Sequence, residues 1–389
     1  MAPSFPKRGD LTPKRGRPAC GALGSFSSST KNEILALRKL TPGGGPKSIL
    51  AEYKGEEPPS ARSIAYFLKE KGLSARYERH SDIDFLKVPK AVRPHELWQM
   101  DARGNEQVDG VGTVCMINIK DVCSGVYVGS FPVRMKSAKS FPNTADYQAA
   151  LRLAFMEFGL PENIQTDRAS VFFDNNSKSP FPARIHLWLA GMGIRPGVSR
   201  PHRPTDQAHV ERSHQTCFRQ MAQGIQFKNW EALLHRCAVR KDFLNWQLPS
   251  RSHGDKPPLV ANPEAIHSGR HYHPEAEQAL ILQERVYECL GQYTWYRKAS
   301  KNRQVNLGKK VYYLPEADAG NQLSIHFEEG MLVFTNQDGK TISKLEPKKC
   351  DAISLMGECP ARDEWAGFQM KIPFSWKDQR LDTIILHST

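Results

Sequence analysis

Eighteen consecutive apolar residues occur nowhere in the 389-residue chain, so the sequence offers no membrane-spanning helix. The opening MAPSFPKRGD lacks the apolar stretch of a secretory signal, and a cytoplasmic protein is expected. Paired cysteines are missing as well. Cys20, Cys115, Cys123, Cys217, Cys237, Cys289, Cys350 and Cys359 never form a C-x-x-C, which disfavours a zinc ribbon or a disulfide framework and leaves ordinary thiols. Acidic residues are the scarcer charge: 41 Asp and Glu stand against 54 Lys and Arg, a net charge of +13. That balance favours a polyanionic partner, nucleic acid first, over an acidic small molecule. An apolar fraction of 39% is enough for real cores, and this length calls for roughly two to four folded units.

Residues 1–29 are rich in Pro, Gly, Ser and basic side chains without an apolar period, the composition of a flexible arm. Within it, Arg15 and Arg17 of KRGRP form an extended Arg-Gly-Arg slim enough for a narrow minor groove; a solvated tail is the plainer reading. Thr30 with Glu33 reads as a capping box opening a first helix over Ile34, Leu35, Leu37 and Leu40. Pro46 starts a second helix, and Ser60 caps a third, ARSIAYFLKEK, which turns Ile64, Phe67 and Leu68 one way and Arg62, Tyr66 and Lys69 elsewhere. Three short helices across 30–80 predict a helix-turn-helix that binds DNA; the alternative is a small bundle supporting its neighbour.

From about residue 90 to 248 the pattern is mixed α/β. LWQMDAR, VGTVCMINI and GVYVGSFPV form a meander with turn signals at Gly104–Asn105, Asp109–Gly110 and Ser124–Gly125. Asn143 or Thr144 opens a helix, Asn163 to Thr166 is a strand ending at Asp167, and further helices cover ARIHLWLAGMG, the stretch from Thr205 or Asp206, and WEALLHRCAVRKDFLNWQ. The prolines of 249–280 read as a linker. Residues 281–350 alternate short β runs with glycine turns, including Asp338-Gly339, and predict a small β-barrel. Residues 351–389 give no readable pattern.

In PHRPTDQAHVERSHQT, residues 201–216, Glu211 is a carboxylate in a segment otherwise suited to phosphate. Asp101 on the first strand and Asp167 at the end of a neighbouring one would meet it, and three clustered carboxylates repel one another unless divalent cations intervene. Hard oxygen ligands suit Mg²⁺ or Mn²⁺, two ions in this case, which stabilise the attacking and leaving oxygens of a phosphodiester. Arg203, Arg212, His214 and Arg219 surround Glu211 and are expected to hold DNA phosphates.

WQMDAR, QTDRASVFF and RPTDQAHVERSHQT resemble the three signature segments of the Asp-Asp-Glu transposase and retroviral-type integrase superfamily, especially transposases of bacterial insertion sequences. The resemblance spans about residues 30–350, with a helix-turn-helix before the core and a Mu-type β-barrel after it. It implies an RNase H-like core, metal-dependent nicking at transposon ends, and transfer of the freed 3′-hydroxyl to target DNA. It also implies a homo-oligomer on DNA, at least a dimer, a nucleoid-associated bacterial setting, and room for a target-selecting partner protein. Asp101, Asp167 and Glu211 match its metal-binding triad. Two departures stand out. Arg168-Ala169 replaces the common Asn-Gly after the second acid, and FFDNNSKSPFPA lengthens the interval to Glu211 by what reads as a surface loop. That loop makes Asp174 a rival second acid, and Asp206 is a rival third acid with an N-cap role of its own. Asp109 and Asp121 are expected to be solvated.

HSGRHYH, residues 267–273, could bind zinc but has no paired cysteine beside it. His209 reads as a packing residue, and His214 as a contact to phosphate or to the attacking water. Trp188, Trp230 and Trp246 read as core, while Tyr293, Trp295 and Tyr296 cover the barrel or stack on a base. A DNA-binding regulator with an inactive core and a nuclease without a joining step are the competing functions.

Overall fold

The computed structural model describes residues 21–74, 91–175, 177–199 and 207–357, in two units divided between Ile83 and Asp84. Arg15, Arg17, Arg203 and Asp206 lie outside the described residues.

In the first unit, helices α1 (Ser28–Leu40), α2 (Pro46–Glu52) and α3 (Ala61–Glu70) enclose Leu23, Ile34, Ile49, Ile64, Phe67 and Leu68. The first cap differs from expectation. Ser27, not Thr30, caps α1: its Oγ accepts the Thr30 N–H at 3.1 Å. Glu33 is turned to the Lys54 N–H instead. A run of hydroxyl residues offers several possible caps, and the extended backbone falls at Ser27. Pro46 at the start of α2 and Ser60 capping α3 are as read. Arg62, Tyr66 and Lys69 lie exposed on α3, with the Arg62 guanidinium 5.8 Å from the Tyr66 ring centre.

The second unit is built on β1 (Leu97–Val108), β2 (Gly112–Asp121), β3 (Tyr127–Arg134), α4 (Thr144–Phe158), β4 (Asn163–Thr166), α5 (Arg184–Gly191), β5 (Arg195–Val198), α6 (Ala208–Met221) and α7 (Trp230–Trp246). The sheet order is β3-β2-β1-β4-β5. Its first three strands are antiparallel, whereas β1–β4 and β4–β5 are parallel. A parallel neighbour requires a crossover, which α4 supplies; Asn143 and Asp146 cap it reciprocally. Alternation along β2 divides the two faces. Ile117 and Ile119 join Trp98, Phe155 and Trp188 on the side of α4 and α5, and Val114 and Met116 join Cys217, Met221 and Trp230 on the side of α6 and α7.

Two turn-end expectations are corrected. Gly104–Asn105 is a bulge inside β1, where the register shifts between Arg103 and Glu106, and the Asn105 amide ties down the carbonyls of Ser137, Ala138 and Ser140. Asp121 is fully buried, not solvated: it accepts the backbone N–H groups of His95 and Ser124 and the Ser124 hydroxyl, closing the approach to β3. Asp109 is exposed, as expected.

The proline-rich stretch 249–280 is a folded strap and not a linker. It includes α8 (Pro258–Ala261) and α9 (Glu277–Leu280), and it buries Leu259, Ala265, Tyr272 and Glu277. The Ala265 carbonyl accepts the His95 Nε2–H, and Arg270 donates to the carbonyls of Pro161, Met192 and Gly193. Glu277 accepts from Nε and Nη2 of Arg152 at 2.6 and 2.7 Å, from Trp188 Nε1 at 2.8 Å and from the Tyr272 hydroxyl.

Helix α10 (Gln283–Gly291) leads to β6 (Thr294–Lys298), β7 (Gln304–Leu307), β8 (Lys310–Tyr313), β9 (Gln322–Glu328), β10 (Met331–Thr335) and β11 (Thr341–Leu345), then to α11 (Ala352–Met356). Where a barrel was expected, the described ladders form a four-stranded sheet, β11-β10-β9-β6, and a separate β7–β8 hairpin. The interval after Asp167 is also no free loop. Trp295 Nε1 donates to the Pro180 carbonyl, Arg297 to the Ser179 hydroxyl and carbonyl, and Phe172 is buried. Trp188 and Trp230 are core residues; Trp295 is buried, while Tyr293 and Tyr296 are exposed.

Candidate active site

Register places the first two acids. Gln99 on β1 pairs with Gln165 on β4, and the Gln99 amide donates to Gln165 Oε1 at 3.1 Å, so both side chains share a face. Two residues further along the chain from each stand Asp101, still on β1, and Asp167, just past the end of β4, near enough for the Asp101 charge to act on it. Asp101 Oδ1 accepts the Ala102 N–H, and Asp167 Oδ1 accepts the Ala169 N–H at 2.9 Å, which holds the chain as it leaves β4.

Helix α6 crosses this face. Its Val210 N–H meets Gln99 Oε1, and one turn on His214 Nε2 lies 3.0 Å from Asp101 Oδ2. The helix runs from Ala208 behind Gln207, and the Thr205 or Asp206 start expected lies outside the described residues. Glu211 is on its exposed side, one turn before His214.

His214 is not a free phosphate contact. Asn118 Nδ2 lies 2.6 Å from His214 Nδ1, and the Ser130 hydroxyl donates to Asn118 Oδ1 at 2.5 Å. The serine bond orients the amide so that its N–H points at Nδ1, and the Nε2 side of the ring faces Asp101. A chain of side chains from β3, β2 and α6 thus fixes one oxygen of an acid on β1. Asn118 and Ser130 are the residues that sequence reasoning missed. Their signal was a polar position within the apolar runs VCMINI of β2 and YVGSFPV of β3.

Arg103 braces the same helix: it donates to the His214 carbonyl, pairs with Glu106 at 2.7 Å, and lies 4.4 Å from the Phe218 ring centre. Arg212 and Arg219 are exposed on α6. Burial, with Arg212 nearby, lowers the Lys120 ammonium to about 8. His209, read as a packing residue, is exposed. Arg168, where the common motif has Asn, lies 3.9 Å from the Phe173 ring centre and bonds Asn175.

The acids feel one another. Burial first, then the charge of Asp101, raises the Asp167 carboxyl despite the Ala169 N–H; burial and Asp101 likewise raise Glu211, and His214 partly offsets this. Such a set is chemically suited to hard divalent cations, which would relieve the repulsion. In this arrangement, however, no three His, Cys, Asp or Glu side chains among the described residues stand close enough to hold one ion, and Asp101 Oδ2 is engaged by His214. The histidines of 267–273 form no such group either, although the His267 and His271 rings are 4.7 Å apart.

Residues 91–204 match the family model of the integrase core domain. Among solved structures, the chain is similar to a simian T-cell lymphotropic virus intasome in complex with PP2A regulatory subunit B56 gamma, at 14% identity and TM-score 0.36, over 81% of this chain and 99% of that one. It is also similar to the catalytic core domain of BIV integrase, at 16% and 0.32 over 44% and 95%. A third is the HTLV-2 integrase catalytic core domain in complex with magnesium, at 14% and 0.31 over 44% and 99%. No described helix is long and apolar enough to cross a membrane. The mixed five-stranded sheet with its helices is the RNase H-like core, and its residues 91–204 are similar to the integrase core domain.

Proposed function

We propose that the protein is a DNA transposase or integrase that cuts phosphodiesters at the ends of a mobile element and joins the freed 3′-hydroxyl to target DNA. What supports this is the parallel pairing of β1 with β4 up to Gln99 and Gln165, two residues short of Asp101 and Asp167, together with the charge of Asp101 raising both Asp167 and Glu211. Asp101, Asp167 and Glu211 would hold two Mg²⁺ or Mn²⁺ ions, which when bound supply charge stabilisation at the attacking and leaving oxygens. His214, fixed by Asn118 and Ser130, sets the orientation of Asp101. Arg212 and Arg219, exposed beside Glu211, attract the phosphates of the bound strand. Double-stranded DNA is gripped by Arg62, Tyr66 and Lys69 of the three-helix unit, with Arg15, Arg17 and Arg203 adding contacts. Bringing several DNA segments together requires a homo-oligomer, and a target-selecting partner protein fits the same scheme.

One observation favours a second reading, a DNA-binding regulator with an inactive core: the described acids do not close into a three-donor cluster. Incubation of element-end DNA with Mn²⁺ separates the two. The leading reading expects nicked and joined products from the wild type and none from Asp101→Asn, Asp167→Asn or Glu211→Gln, each still binding the DNA. Tight binding without any product from the wild type supports the regulator.

A further inference from the structure

The second unit holds a cleft of about 800 Å³ between the chain that follows Asp167 and the β7–β8 hairpin. Ser170, Phe173 and Asn175 line one side, Phe181 and Leu307 another. Lys309, Lys310, Lys348 and Lys349 converge from the hairpin and from the approach to α11, and Arg184 joins them from the start of α5. The acid among the lining residues, Asp174, is close enough to Arg297 to favour its charged form. The cleft is therefore strongly cationic, with aromatic rings in its walls.

Its walls are built before any ligand arrives. The Ser179 and Pro180 bonds to Arg297 and Trp295 pin the far end of the 168–183 segment, Phe181 packs 4.8 Å from Trp295, and Phe172 is buried. Arg168 lies over Phe173 at the near end, presenting a ring already paired with a cation. Ser170 is three residues from Asp167, no more than about 11 Å along the chain. A strand whose phosphate lies at Asp167 and which continues past Ser170 enters the cleft almost at once.

The size selects the occupant. Spaces of roughly 300–1,000 Å³ enclose ligands of a few rings, whereas a duplex, with a major groove alone about 12 Å wide, does not fit. Cations along a groove with aromatic faces in its walls are what single strands require. Resting on the function proposed above, we propose that this cleft receives the unpaired single-stranded flank of the cut DNA, with phosphates on Lys309, Lys310 and Lys349 and a base against Phe173 or Phe181. The flank is thereby drawn away from Asp167, leaving the cut end free to react.

The test uses the full chain and two fluorescein-labelled oligonucleotides, an unpaired thymidine 20-mer and a blunt duplex, read by anisotropy. Lys309→Glu combined with Lys349→Glu is expected to weaken single-strand binding about tenfold or more while duplex binding stays within about twofold. Phe173→Ala, which alters no phosphate contact, is expected to weaken the single strand about fivefold at an unchanged salt slope. Equal weakening of both oligonucleotides, or no change with either variant at wild-type melting temperature, overturns the cleft assignment. Wild-type protein that binds duplex but not single strand also overturns it and leaves the proposed function standing; binding of neither removes both.

Discussion

Asp101 is reached by two kinds of force, and they make separable predictions. The first is mechanical: Ser130 and Asn118 hold His214, which holds one Asp101 oxygen. Outer partners of this kind typically change ligand function by about 10–100-fold when removed, so Asn118→Ala is expected to cut Mn²⁺-dependent nicking by that amount with the fold intact by circular dichroism. The second is electrostatic. Asp167 and Glu211 are raised in the folded chain, by burial and then by Asp101. Between the ordinary carboxyl range and those raised values the folded form binds more protons than the unfolded, so metal-free stability falls as pH rises through that window. Asp167→Asn removes that penalty. In EDTA at pH 7.5 it should melt higher than the wild type, with the difference shrinking toward pH 4; a lower melting temperature would show that Asp167 is stabilised by its surroundings.

At the scale of elements, the strap is the main surprise. Residues 249–280 read as linker because their prolines and polar residues show no period, yet Glu277 meets Arg152 from 125 residues away. Burial pushes the Glu277 carboxyl up, but bonds from Arg152, Tyr272 and Trp188 outweigh it and hold the group below the usual range. Breaking a buried pair on one side leaves a stranded charge, so Glu277→Gln should cost about 3–5 kcal/mol in urea unfolding. The pair's contribution is present above the unfolded carboxyl value and is lost as pH falls through the depressed folded value, the opposite sense to Asp167. This contrast explains what the sequence made legible. Elements with local signals were readable: α4 behind Asn143, α3 behind Ser60, the β10–β11 turn where Asn336 Oδ1 accepts from Asp338 and Lys340. Asp121, Gly104–Asn105 and the 168–183 segment were not, because partners distant in sequence decided them. In the site, the three acids were visible as motif residues, whereas Asn118 and Ser130 were hidden as polar interruptions in strands.

For the whole molecule, the net charge of +13 sets how binding responds to salt. Neutralising about six to ten phosphates makes log affinity fall with log salt at nearly that slope, and fluorescence titrations of duplex DNA between 50 and 200 mM salt should show it; a flat response would rule out extended backbone contact. On the proposed function, specificity would fall to the three-helix unit and chemistry to the acid-bearing core. The account stands or falls on whether Asp101, Asp167 and Glu211 act together on cations. Mn²⁺ titrated into the DNA-bound protein and followed by electron paramagnetic resonance measures this most directly. Two ions taken up by each wild-type core, with Asp101→Asn losing both, and Asp167→Asn and Glu211→Gln at least one, is the result predicted. Unchanged uptake in all three variants would contradict it.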